Sequence, residues 1–266
     1  AASDVYKRQI MKNLLFIGDV VGKSGCDFLA SRIYSMKKKY SVDITVINGE
    51  NSAQGNGITA YSAGLIKNNC GADVITTGNH CYKRRDSLAI YDEEYIIRPA
   101  NYPEGCAGRG LCIIDMGSYK AAVVNLMGTV YMEPLDNPFT VAENILKDIG
   151  TPNIFVDFHA EATAEKKAMG YFLSGKATAV MGTHTHVQTS DEAIIDGHTG
   201  YITDAGMTGP EISVLGVDVK PAVDKLRFKF PVRFKEAETP CFINGVVVTF
   251  DEKVGKCTKI TRIIER

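Results

Sequence analysis

The feature that most constrains this chain is a repeated local pattern. A short apolar run closes on Gly, Asp, Asn or His, and a longer stretch with apolar residues at helical spacing follows. Residues 13–17 close at Gly18-Asp19, residues 44–47 at Asn48-Gly49-Glu50-Asn51, and residues 74–77 at Gly78-Asn79-His80. Between them, residues 25–40 carry Phe28, Leu29, Ile33 and Met36 on one helical face, and residues 59–69 form a second helical segment stopped by Gly71. Strand, helix, strand, helix, strand predicts a parallel sheet with covering helices.

The second half repeats the theme less regularly. Residues 112–116 and 121–125 read as a hairpin around Gly117-Ser118, and residues 139–149 as a helix opened by Pro138 and stopped by Gly150. Residues 154–158 form a strand ending at His159, and residues 161–173 are rich in good helix formers. The apolar run 177–181 empties into Gly182-Thr183-His184-Thr185-His186, and two late strands, 242–250 and 257–264, are expected to pair antiparallel. The predicted fold is a two-sheet α/β sandwich (α-β-β-α) with helices on the outer faces, one domain over residues 11–266. Residues 1–10, AASDVYKRQI, are polar, lack the apolar core of a signal peptide and precede Met11, so they are expected to be a non-native extension.

Composition excludes several classes of function. With 45% hydrophobic and 23% charged residues the chain can bury a core, and a net charge of −1 gives no global field toward nucleic acid or anionic membrane. The dense basic runs, Lys37-Lys38-Lys39 and Lys83-Arg84-Arg85, read as solvated helix ends. Seven cysteines, an odd count without a CxxC pair, argue for free thiols in the cytoplasm. No apolar run has the length of a membrane span. Pairing into a homo-oligomer is expected, as is common for compact α/β proteins of this size.

Five strand-like runs deliver polar side chains at the same kind of position: Asp19, Glu50 with Asn51, Asn79 with His80, His159, and His184 with His186. In open α/β sheets, ligands bind outside the carboxyl ends of the strands, so these residues can meet. Each has an ordinary explanation when taken alone. An Asp after a strand caps helices, Asn tolerates left-handed turns, and a lone His is more often structural. The joint pattern points to metal, because unrelated caps and turns need not gather four of the five histidines. Nitrogen and oxygen donors without thiolates suit Mn, Fe or Zn, and eight side chains exceed the needs of one ion. Two ions about 3.5–4 Å apart are a recurring engine of phosphoester cleavage. His198, in Asp196-Gly197-His198, has no strand-like run before it and reads as a surface turn.

Gly18-Asp19, Gly78-Asn79-His80, His159 and Gly182-Thr183-His184-Thr185-His186 resemble, in order, the motif set of the calcineurin-like metallophosphoesterases. Val21 stands where the superfamily usually has His, and Asn48-Gly49-Glu50-Asn51 where its second motif usually carries Asp. These departures, with the segments 157–163 and 203–210, are similar to a bacterial branch of 2′,3′-cyclic-nucleotide 2′-phosphodiesterase-like enzymes. The resemblance implies that Asp19, Glu50, Asn51 and His186 serve one metal ion. Glu50, Asn79, His159 and His184 would serve the other, with Glu50 bridging. His80 would be catalytic rather than a ligand, facing the phosphate and the leaving oxygen. Without the first-motif His the site is richer in oxygen, which favours Fe or Mn over Zn.

The implied activity is hydrolysis of small phosphodiesters, 2′,3′-cyclic nucleotides to 3′-nucleotides. A phosphomonoesterase, a broader nucleotide or RNA-end phosphodiesterase, and a metal-stabilised regulatory or RNA-associated protein of weak activity remain as alternatives. Glu161, Thr183 and Thr185 flank the histidines and are candidates to orient them; Glu161 stays open between that role and favouring a helix N-terminus, and Thr185 reads as an ordinary residue at a strand end. Gln54-Gly55-Asn56-Gly57 is too short to be a nucleotide motif and would rim the pocket.

Overall fold

A computed structural model of the protein describes residues 11–266; the expected extension, residues 1–10, lies outside them. In chain order the first half contains β1 (Met11–Ile17), β2 (Asp19–Val20), α1 (Gly22–Lys39), β3 (Ile44–Asn48), α2 (Ala60–Gly64), β4 (Val74–Thr76), β5 (Ile96–Ile97), β6 (Leu111–Asp115) and β7 (Lys120–Met127). The second half contains α3 (Pro138–Lys147), β8 (Ile154–His159), α4 (Thr163–Phe172), β9 (Ala179–Thr183), β10 (Ala193–Ile195), β11 (Thr199–Ile202), β12 (Met207–Pro210), α5 (Val219–Phe228), β13 (Cys241–Asp251) and β14 (Lys256–Glu265). One sheet runs β2-β12-β13-β1-β3-β4-β5, with β14 paired to β13; the other runs β10-β11-β9-β8-β7-β6.

The sandwich follows from strands that are apolar on both faces. In β1, Leu14 and Phe16 point between the sheets, where they meet Val46, Val74, Val123, Phe155, Met181 and Phe250. Leu15 and Ile17 point the other way and pack with Leu29, Ile33 and Met36 of α1. The second sheet does the same. Val124, Val156 and Phe158 bury themselves with Met169 of α4 and Ala142 of α3 on its outer side. Helices therefore cover both outer faces, as the alternation of elements predicts.

Strands β1, β3, β4 and β5 are parallel, as are β7, β8 and β9, and both late strands are antiparallel. The carboxyl ends of β3, β4, β8 and β9 carry the segments that hold Glu50, Asn79, His159 and His184. The hairpin of β6 and β7 forms as expected.

Four details differ from the sequence reading. Asp19 does not end β1; it opens the two-residue β2, which pairs with β12. Helix α1 begins at Gly22 rather than residue 25, since Gly22 takes φ +66° and turns the chain directly out of Val21. The helical segment 59–69 is α-helical only to Gly64 and continues as a wider π-type turn over Leu65–Asn69. Strand β10 does precede His198, which lies in the β10–β11 turn. Among the described residues, no helix is long and apolar enough to cross a membrane.

Candidate metal centre

The structure brings all seven expected ligand residues, and His80, to one place between the two sheets. Glu50 is fully buried at its centre. Its Oε2 lies 3.3 Å from His159 Nε2 and accepts the His80 backbone N–H at 3.1 Å; its Oε1 accepts Asn51 Nδ2 at 2.8 Å. On one side, Glu50, His159 and His184 place one donor atom each within 4.8 Å of one another, and Asn79 Oδ1 is 2.9 Å from His159 Nε2. On the other side, His186 Nε2 lies 3.8 Å from Asp19 Oδ1 and 3.2 Å from Asn51 Nδ2. Glu50 touches both halves.

The donor set fits cations. Asp19 is fully buried, yet its Oδ1 has no hydrogen-bond partner, while Oδ2 accepts the His184 backbone N–H at 3.2 Å. An anionic oxygen left unpartnered in the interior is costly unless a positive charge meets it. Gly78 adds a steric argument: a Cβ there would sit 2.3 Å from His159 Cδ2 and 2.4 Å from Glu50 Oε2. Asn51 is the exception in orientation. It turns Nδ2 toward His186 and Glu50, and Oδ1 toward His80 Nδ1 at 2.9 Å. Presenting its oxygen to the His186 side requires a 180° amide flip, after which His80 Nδ1 keeps Glu50 Oε1 at 3.2 Å as acceptor.

Protonation in the buried cluster is set by competing terms. Burial pulls the His159 imidazolium down, but Glu50, Asp19 and Asp157 outweigh it and raise the group to about 9. Burial likewise raises the Glu50 carboxyl, and His159 and His80 overcome this, holding it well below the ordinary range. His184 is driven down to about 3 by burial and then by the charge on His159. Asp19 is raised, chiefly by burial, against His186 and His159. His159 thus holds a proton on Nε2, aimed at Glu50, where a cation would satisfy the same carboxylate. His184 keeps the neutral ring that a metal ligand needs.

Behind the histidines stand further partners: Thr183 and Glu161, which the sequence offers as candidates to orient them, and the buried Asp157, which it does not. Asp157, inside β8, accepts Thr183 Oγ1 at 2.6 Å on Oδ1, and Asn48 Nδ2 at 3.0 Å and Thr76 Oγ1 at 2.5 Å on Oδ2. It therefore joins the two sheets. Thr183 spends its hydrogen on Asp157, so its Oγ1 accepts from His159 Nδ1 at 2.9 Å and leaves Nε2 to face Glu50. Glu161 Oε2, 3.2 Å from His184 Nε2, fixes that ring so that Nδ1 faces His159 at 3.1 Å. Such outer carboxylates are what set the tautomer of metal-binding histidines. Arg84 reaches the carbonyls of Gln54 and Asn56, so this member of the basic run ties down the Gly-rich loop.

The sequence profile of the YmdB-like protein family matches residues 15–263. The chain belongs to that family. It is 44% identical over 256 residues to the 2′,3′-cyclic-nucleotide 2′-phosphodiesterase of Bacillus subtilis (strain 168), covering 94% of this chain and 96% of the relative. Among solved structures it superimposes on a hypothetical protein from Thermus thermophilus with TM-score 0.90 and 33% identity, over 96% of this chain and 100% of the other. A structure described as a novel phosphatase from Mycoplasma pneumoniae matches with TM-score 0.90 and 30% identity, over 96% and 94% of the two chains. The family is a branch of the calcineurin-like metallophosphoesterases, and the two-sheet sandwich is its fold, as the motif order implied.

Proposed function

We propose that this protein is a metal-dependent phosphodiesterase that opens 2′,3′-cyclic nucleotides at the 2′ ester to give 3′-nucleotides. The observation that carries the reading is Glu50, a buried carboxylate within reach of two donor groups, in a chain 44% identical to a B. subtilis enzyme of that name. Asp19, Glu50, Asn51 and His186 would hold one ion, and Glu50, Asn79, His159 and His184 the other. Bound there, such ions supply positive charge to the phosphate oxygens and make a water acidic enough to ionise near neutrality. The oxygen-rich donor set supports Fe or Mn over Zn. Free cysteines, several of them buried, suit the reducing cytoplasm.

The protein's own groups then divide the work. In the balanced reaction, the oxygen of water forms a bond to phosphorus, the P–O2′ bond breaks, and O2′ takes up a proton. Glu50 Oε1, 3.2 Å from His80 Nδ1, remains its acceptor when the Asn51 amide turns its oxygen toward the His186 side, so Nδ1 carries hydrogen. The opposite nitrogen, Nε2, is left toward the substrate, and with the ring as imidazolium it donates to the phosphate or to the leaving oxygen. Asp157 through Thr183, and Glu161 directly, hold the two rings so that His159 Nε2 faces Glu50 and His184 Nδ1 faces His159.

The test is a substrate panel with metal-loaded protein: 2′,3′-cyclic AMP, 3′,5′-cyclic AMP and an aryl phosphate monoester. Fastest turnover of 2′,3′-cyclic AMP to 3′-AMP is expected. Preference for the monoester would replace the reading with a phosphatase. Elemental analysis of protein purified without added metal checks the ion, and stoichiometric zinc alone would overturn the preference for Fe or Mn.

A further inference from the structure

The segment Gly182–His186, the end of β9 and the loop that follows it, is held in an unfavourable shape. His184 adopts φ +103° and His186 φ +64°, left-handed conformations that a side chain with a Cβ rarely takes. Two such residues in one short loop revert unless something outside the loop over-determines it. Below it lies a buried ion pair that the reaction does not use. Lys166 of α4 and Asp204, after β11, are both sealed from solvent, with Nζ 2.7 Å from Oδ2. The same Oδ2 accepts the backbone N–H of Thr185 at 3.1 Å and its Oγ1 at 2.8 Å. Oδ1 accepts the backbone N–H of Gly206 at 2.8 Å, which fixes the carboxylate plane.

We propose that the Lys166–Asp204 pair is a positioning device that grips Thr185 and so holds His184 and His186 in ligand geometry; this rests on the metal-site reading above. Thr185 sits between the two strained residues, so anchoring it constrains both. The start of the loop is also fixed: Ala205 N–H donates to Gly182 O at 2.8 Å, and the Lys166 stem runs beneath Gly182, with Cδ 3.2 Å from where a Cβ would stand. Lys166 thus supports both ends. Stability alone is a poor reason to keep such a pair, since buried ion pairs replaced by packed apolar groups often leave a fold as stable or more so. A charge-anchored carboxylate with three donors on one oxygen supplies direction, which an apolar pair does not.

The decisive experiment titrates the metal-stripped whole protein with Mn(II), following the free ion by electron paramagnetic resonance. Thr185→Val removes the hydroxyl donor without stranding a charge. It is expected to keep the melting temperature of the metal-free protein and to bind Mn(II) about 10–100-fold more weakly. Lys166→Met should weaken Mn(II) binding further, with Lys166→Arg regaining most of it; if Lys166→Met does not fold, Thr185→Val decides alone. Wild-type Mn(II) affinity in Thr185→Val overturns the proposal, whatever its melting temperature. Failure of the wild-type protein itself to take up Mn(II) overturns the metal-site reading instead.

Discussion

Glu50 Oε2 and His159 Nε2 lie 3.3 Å apart, both fully buried, and the carboxylate favours a proton on the imidazole that faces it. The metal-free protein should therefore show a particular pH dependence. His159 is raised to about 9 in the folded state against an ordinary value of 6.5, so its contribution is complete below 6.5 and is lost as pH rises to about 9. His184, depressed to about 3, acts in the opposite sense, and stability falls as pH drops from 6.5 toward 3. Denaturant unfolding of chelator-treated protein should peak near pH 6.5. With metal bound, the alkaline loss should disappear, because the ion replaces the proton. A flat alkaline limb without metal would show that His159 is not protonated there.

His80 and Glu50 should separate chemistry from metal binding. His80→Ala is expected to lower kcat by about 10²–10⁴ while leaving metal content unchanged. Glu50→Gln removes the charge that both groups of donors face, so metal content itself should fall. Elemental analysis beside steady-state rates distinguishes the two, and loss of metal in His80→Ala would move that residue into the ligand set.

Asp157 is a test of the supporting partners. Asp157→Asn keeps the shape but loses the charge that orders Asn48, Thr76 and Thr183. Unsatisfied buried donors cost about 1–3 kcal/mol, so a destabilisation of that size is expected in denaturant titrations. Because Thr183 then loses its fixed acceptor, His159 should turn more freely, and metal affinity should fall by about 10–100-fold. Unchanged affinity would show that Thr183 orients His159 unaided.

The parts of the fold legible in the sequence were those whose local pattern and burial agree. Strands β1, β3, β4, β8 and β9 are short runs buried on both faces, and each leads, at its end or within three residues of it, to a polar residue with no apolar reason to be there. Strands β10, β11 and β12 and helix α5 went unread. The strands are three or four residues long, too short to show a period, and α5 buries only Ala222. The same logic divides the site. The histidines announce themselves after strands, whereas Asp157 hides inside an apolar run and Lys166 in a helix where lysine reads as solvated. Only the tertiary contact to Asp204 reveals Lys166 as buried, and Thr185 looked ordinary for the same reason.

Gly78 offers the sharpest steric test. Its backbone passes so close to the site that an added methyl would fall 2.3–2.4 Å from His159 Cδ2, His159 Nε2 and Glu50 Oε2. Glu50 and His159 are buried and cannot swing aside as a surface side chain would. Gly78→Ala must therefore push either the chain carrying Asn79 and His80 or the Glu50–His159 pair out of place. Overpacking of this kind costs about 1–3 kcal/mol, which a fold of this size survives. The expected result is a folded protein, with near-native far-ultraviolet circular dichroism, that binds less metal and turns over little substrate. Native metal content and rate in Gly78→Ala would mean that the backbone at this point is looser than the packing around Glu50 implies.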